Sequence, residues 1–230
     1  MRFVSFTFAS VTLLACGQGN TDQRYQDVRD FSASEQAAMD SARIDGGVAG
    51  VLRTKIRETF YLHTPEADEI SGRSGFSATK HNYRGVAFRV SPDSTTARIA
   101  AIAKRISPES YRAYRSRMGF GGEPDEVCVM FALDDMDILR YEQTDGINYD
   151  ITTDSLISVL REWSKELGLT VVGASSDWVD ATIEKEPSDW NALAAKVYMF
   201  CPDVVEQGAG SVEALAEEMK RNKTLYLWWD

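Results

Sequence analysis

The chain has 230 residues, with 25 Lys+Arg against 35 Asp+Glu, 43% hydrophobic residues, three Cys and two His. That length fits one compact domain with an extension, or two small ones, and the apolar fraction excludes a disordered tail protein. A net charge of −10 argues against a general nucleic-acid binder, which needs a basic face to displace counterions. The few His and Cys leave little material for a zinc cluster.

The chain opens with Arg2 in a short positive region, then an uncharged run from Phe3 to Ala15. The run has secretory-signal length and is too short to span a bilayer as a permanent helix. Leu13-Leu14-Ala15-Cys16 then resembles the lipobox of bacterial lipoprotein precursors. The resemblance implies a signal peptide over 1–15, cleavage before Cys16 and acylation of its thiol and new amine. An ordinary signal peptide with a chance Cys is the alternative. Several acyl chains, at ~0.8 kcal/mol per buried CH₂, would hold the protein on a membrane without a spanning helix. Gly17 stands where an Asp would imply inner-membrane retention, so the resemblance points to the outer membrane, periplasm-facing.

Residues 16–45 are polar and rich in small side chains, which predicts a tether with a short helix around Ser34 to Arg43. Residues 46–83 form a poorly defined lead-in, where Val48 to Leu62 suits a helix or a strand and Glu66 to Asn82 reads as loop. From residue 84 to 230 the pattern predicts one α+β domain, a single mixed or antiparallel sheet with helices packed on it. Gly85 to Val90 reads as a strand, and Ser91-Pro92 starts a helix with Ile99, Ile102, Ala103 and Ile106 inward. Ser107-Pro108 repeats that start signal and predicts a second short helix carrying Tyr111, Tyr114 and Met118. A glycine-rich loop at 119–124 precedes a buried strand, Val127 to Leu133.

Thr153 is read as the cap of a helix with Leu156, Ile157, Leu160, Trp163 and Leu167 on one stripe, stopped at Gly168. Leu169 to Gly173 and Trp178 to Ile183 form a predicted hairpin. Ser188 and Ser211 cap two further helices, and Thr224 to Trp229 closes as a strand, by default a central one buried on both faces. Residues 80–118 hold nine Lys/Arg and two acids, whereas 119–190 hold four bases and 17 acids. Mutual neutralisation of two packed halves is the plain expectation; a basic face for an acidic partner is the other.

Four segments carry a resemblance: Thr144-Asp145-Gly146-Ile147-Asn148-Tyr149-Asp150; Gly173-Ala174 with Asp177-Trp178-Val179-Asp180-Ala181; Phe200-Cys201-Pro202-Asp203 with Gln207-Gly208; and Leu227-Trp228-Trp229-Asp230. In that order and spacing they resemble a bacterial family known as domain of unknown function 4253, over 125–230. The resemblance implies a shared fold and no reaction.

Cys201-Pro202-Asp203 is a candidate nucleophile motif, but the only His, His63 and His81, lie in the weakly patterned early part. A Pro that ends the preceding helix explains it more simply. Cys128 and Cys201 could pair in an oxidising compartment. Asp145, Asn148, Asp150 and Asp154 lack the ligand ladder of a calcium loop and suit a turn instead, so no metal or cofactor is assigned. Gly208-Ala209-Gly210-Ser211 suits a capped turn better than a phosphate loop.

The expectation is therefore a membrane-anchored lipoprotein with a ligand- or protein-binding domain. Its candidate site gathers Asp145, Asn148, Tyr149, Asp177, Trp178, Cys201, Asp203, Trp228, Trp229 and Asp230. A hydrolase using acids or Cys201, or an inhibitory partner protein of immunity type, are the alternatives. A single-site reading requires those residues to converge; a structural reading requires their polar groups to be bonded to backbone.

Overall fold

The computed structural model describes residues 30–66 and 83–230; the expected signal segment, Cys16 and His81 lie outside them. Seven strands form one mixed sheet: β1 Tyr61–Leu62, β2 Gly85–Val90, β3 Tyr111–Arg117, β4 Asp125–Phe131, β5 Leu169–Ala174, β6 Trp178–Ile183 and β7 Thr224–Trp228. Their order is β1-β2-β4-β3-β5-β6-β7. Every neighbouring pair is antiparallel except β3 and β5, which run parallel with Arg115 beside Gly173. The fold is α+β.

Helices α1 (Ala33–Ala42), α2 (Gly46–Lys55) and α3 (Pro92–Ile106) cover one face of β1 to β4. Met39, Leu52, Ile99 and Ile102 there meet Phe88, Val127 and Val129. On the opposite face α4 (Met136–Glu142), α5 (Thr153–Leu167), α6 (Trp190–Phe200) and α7 (Val212–Asn222) pack onto β3 to β7. Leu139, Leu156, Leu160, Val197, Leu215 and Leu227 belong to that second core. Strand β4, with covers on both faces, is buried from Asp125 to Met130. Past α3, the same face of β5 to β7 has no helix over it among the described residues, and Thr170, Asp180, Thr182 and Tyr226 stay partly exposed.

Several elements differ from expectation. Helix α1 falls where a short helix was expected within the tether, started by a capping box of Ser32 and Glu35, but it packs into the core, with Ala38, Met39 and Ala42 buried. Its docking was not foreseen because only one narrow stripe of sparse apolar residues is needed for it. Residues 111–117 form β3, not a helix: Ser107-Pro108 makes a single tight turn, and Ser110 at φ 59° ends it. Both faces of β3 are then covered, so its tyrosines did not alternate as a half-buried strand would. Helix α5 is capped by Thr152 and α6 by Asp189, each one residue from the expected cap or start. Strand β7 is an edge strand rather than a central one: Leu225 and Leu227 face the core while Tyr226 is exposed.

Candidate functional site

Several of the motif residues lie together at the end of the sheet where β7 finishes. Asp203, just after α6, accepts the Tyr149 hydroxyl at 2.7 Å and Gln207 Nε2 at 3.1 Å through one oxygen, and the Asp230 N–H at 3.0 Å through the other. Burial opposes ionisation of Asp203, but these donors outweigh it and hold the carboxyl below its usual range. Asn148 Nδ2 donates to the Asp230 carbonyl at 2.7 Å. The Cys201 thiol donates to the Trp228 carbonyl at 2.9 Å, and the Trp228 N–H points back to the sulfur at 3.4 Å. The Trp229 N–H donates to Asp177 O at 3.0 Å, and the Asp145 N–H to Ser176 O at 2.9 Å. The indole of Trp229 lies edge-on to Phe200 and against Gly146, where a Cβ would sit 2.9 Å from the ring. Any side chain at Gly146 would therefore displace Trp229.

This arrangement is a latch. Most of its polar groups bond to backbone of the last three residues, fixing β7 against the segment after α4 and the turn after α6. Burial pushes the Cys201 thiol up to about 11, opposite to the shift a nucleophile needs, and its bonded partner is a carbonyl. Cys128 and Cys201 are both buried and unpaired with each other.

Trp178 leaves the cluster. It faces the other side of the sheet with Tyr226, ring centroids 6.3 Å apart, and covers Gly173, whose Cβ would sit 2.8 Å from its ring. That side carries the largest concavity described, a groove of about 630 Å³ between α3 and the bare face of β5 to β7. Ile99, Ala100, Ala103 and Val172 give it apolar walls; Thr170, Thr182 and Thr224 add hydroxyls. Its charged groups fall into three sets. Arg112 pairs with Asp135 at 2.6 Å. Arg115 Nε lies 3.2 Å from Asp125, and among the described residues its guanidinium donates no hydrogen bond. Asp180 has neither hydrogen bond nor ion pair among the described residues; burial raises its pKa, and the charge of Arg115 only partly offsets that. The first two pairs join the basic and acidic stretches of the chain, as mutual neutralisation requires.

Register explains why Arg115 and Asp180 share this groove. Arg115 aligns with Gly173 across β3 and β5, and Gly173 with Asp180 across β5 and β6. The row is created by irregularities between Val171 and Gly173 and between Arg115 and Arg117, which local sequence does not signal.

A third cluster was missed entirely. His63 follows β1 and is buried, with Nδ1 3.0 Å from Glu126 Oε1 and Nε2 2.8 Å from Glu142 Oε1. Glu126 also accepts the Tyr61 hydroxyl at 2.6 Å and Ser116 Oγ at 2.8 Å, and Glu142 accepts the Tyr114 hydroxyl. Burial alone would lower the His63 pKa, but its bonds to Glu126 and Glu142 raise it to about 9. Burial disfavours the Glu126 anion, yet His63, Tyr61 and Ser116 together bring it down to about 2. Glu142, with no exposed surface and Oε2 without a partner among the described residues, is pushed up by burial. An imidazolium held between two carboxylates is a clip: it ties the segment before residue 66 to β4 and α4. With both ring nitrogens engaged, His63 has none left to act as a base.

Residues 126–230 match the model of a family described as Domain of unknown function (DUF4253), so the domain resemblance read from the four motifs holds. No curated protein and no solved structure matches the chain.

Proposed function

We propose that the protein is a lipid-anchored envelope lipoprotein whose folded part binds a small ligand in the groove between α3 and the bare face of β5 to β7. Cys16 would carry the anchor in the outer membrane, with the groove open to the periplasm. The observation that carries binding is the pair of incompletely bonded charges, Arg115 and Asp180, within about 630 Å³ of partly apolar space. Ligand sites typically occupy ~300–1,000 Å³, lined by apolar groups with a few convergent polar ones. Catalysis has less support: Cys201 is bonded within the latch and His63 within the clip.

Blocking the groove tests this reading. Ala100 is exposed on α3 and lines the groove, so Ala100→Trp would fill it without disturbing either core. A fragment library screened by NMR against the full chain should yield binders that Ala100→Trp abolishes. A library whose binders are all indifferent to Ala100→Trp would overturn the groove as the site.

A further inference from the structure

Resting on the groove as the binding site, we infer that its ligand is a short apolar peptide of dipeptide size with both termini free, its carboxylate held by Arg115 and its ammonium by Asp180. The two side chains are opposite in charge and share one face, yet they do not pair with each other. Their strands are separated by β5, so the Cα atoms stand two strand spacings apart, about 10 Å. Gly173 between them contributes no side chain and is covered by the Trp178 ring, so a ligand joining the two charges would run on the groove side of that ring.

A ligand bearing only a negative charge would leave Asp180 without a hydrogen bond, and one bearing only a positive charge would leave Arg115 with nothing beyond its 3.2 Å contact to Asp125, which is costly in a partly buried site. A zwitterion satisfies both. Its length follows from the spacing: two extended residues span about 7 Å between the terminal groups, which with the reach of the two side chains suits a separation of about 10 Å between their Cα atoms. Arg is suited to the carboxylate end because its fork of N–H donors matches two oxygens. Asp180, raised by burial that the charge of Arg115 only partly offsets, has no bonded partner among the described residues, and an ammonium supplies one. Ile99, Ala100, Ala103 and Val172 then face the ligand's side chains, favouring aliphatic residues over charged ones.

The test is calorimetric titration of the full chain in detergent with leucyl-alanine, its N-acetyl derivative and its C-terminal amide. Leucyl-alanine should bind saturably, with each capped form at least tenfold weaker. Asp180→Asn, nearly isosteric, should weaken leucyl-alanine at least tenfold while leaving the N-acetyl derivative unchanged; Ala100→Trp should abolish binding. Equal affinity for capped and uncapped peptides would overturn the zwitterion assignment. So would absence of leucyl-alanine binding while Ala100→Trp-sensitive fragments exist, an outcome that leaves the groove itself standing. If no compound is sensitive to Ala100→Trp, the groove reading fails as well.

Discussion

His63 shows how one side chain can join distant parts of a chain. Its two nitrogens reach carboxylates on β4 and α4, and removing it would leave Glu126 and Glu142 facing each other in a dry interior. His63→Ala should therefore cost ~3–5 kcal/mol, the range for breaking one partner out of a buried ion pair. The pH dependence has a definite sign. A histidine raised to about 9 contributes stability fully below its unfolded value near 6.5 and loses it as pH rises through 9. Glu126, lowered to about 2, contributes above its unfolded value near 4.5 and loses it as pH falls through 2. Glu142, raised by burial, also opposes folding once pH exceeds its ordinary value. Chemical denaturation should thus show the wild type losing on the order of 3 kcal/mol between pH 6.5 and 9.5. His63→Ala should be nearly flat there; a wild type equally flat would rule out a charged His63 in the fold. Nothing in the sequence near His63 announced this role, because its partners lie 63 and 79 positions away and no local periodicity spans such distances.

At the scale of elements, the latch on β7 has its own consequence. Asp203→Ala removes three hydrogen bonds to a carboxylate and leaves the Asp230 N–H without its acceptor. The expected cost is ~2–3 kcal/mol, a fall in Tm of roughly 5–10 °C for a chain of this size. Amide exchange should quicken along β7 first, since β7 is an edge strand paired on one side only. Uniform loss of protection across all strands would show that Asp203 supports the whole fold rather than this edge. The elements themselves were legible where one face alone is buried: α3, α5, α7 and the β5–β6 hairpin each show a clean period. Strand β3 was not, because covers on both faces remove alternation and leave Tyr111 and Tyr114 at a helix-like spacing. Helix α4, seven residues long, is too short to display a stripe. Whether Asn148, Asp203 and Cys201 serve a ligand or the backbone depends on where β7 docks, which no single segment encodes.

At the scale of the whole molecule, charge bears on both the groove and the proposed membrane anchor. Arg115 and Asp180 could not be singled out in the sequence, since their proximity is made by sheet order and two irregularities. The acidic balance was legible, and it limits how the proposed membrane attachment would work. A net charge of −10 opposes adhesion to anionic lipid surfaces, which attract polybasic segments at about 1 kcal/mol per basic residue. No helix of the described residues is long and apolar enough to cross a membrane. Attachment through the proposed lipobox would then rest on acyl chains alone, and one chain gives only marginal, reversible binding, so two or more would be required. Two measurements follow. Wild type should remain in the membrane fraction through a high-salt wash, because screening removes electrostatic adhesion and leaves acyl insertion untouched. Cys16→Ala should shift the protein almost wholly to the soluble fraction while keeping its unfolding midpoint, since Cys16 lies before the first packed helix. Release of the wild type by salt alone, or retention of Cys16→Ala on membranes, would show that something other than the lipid holds it there.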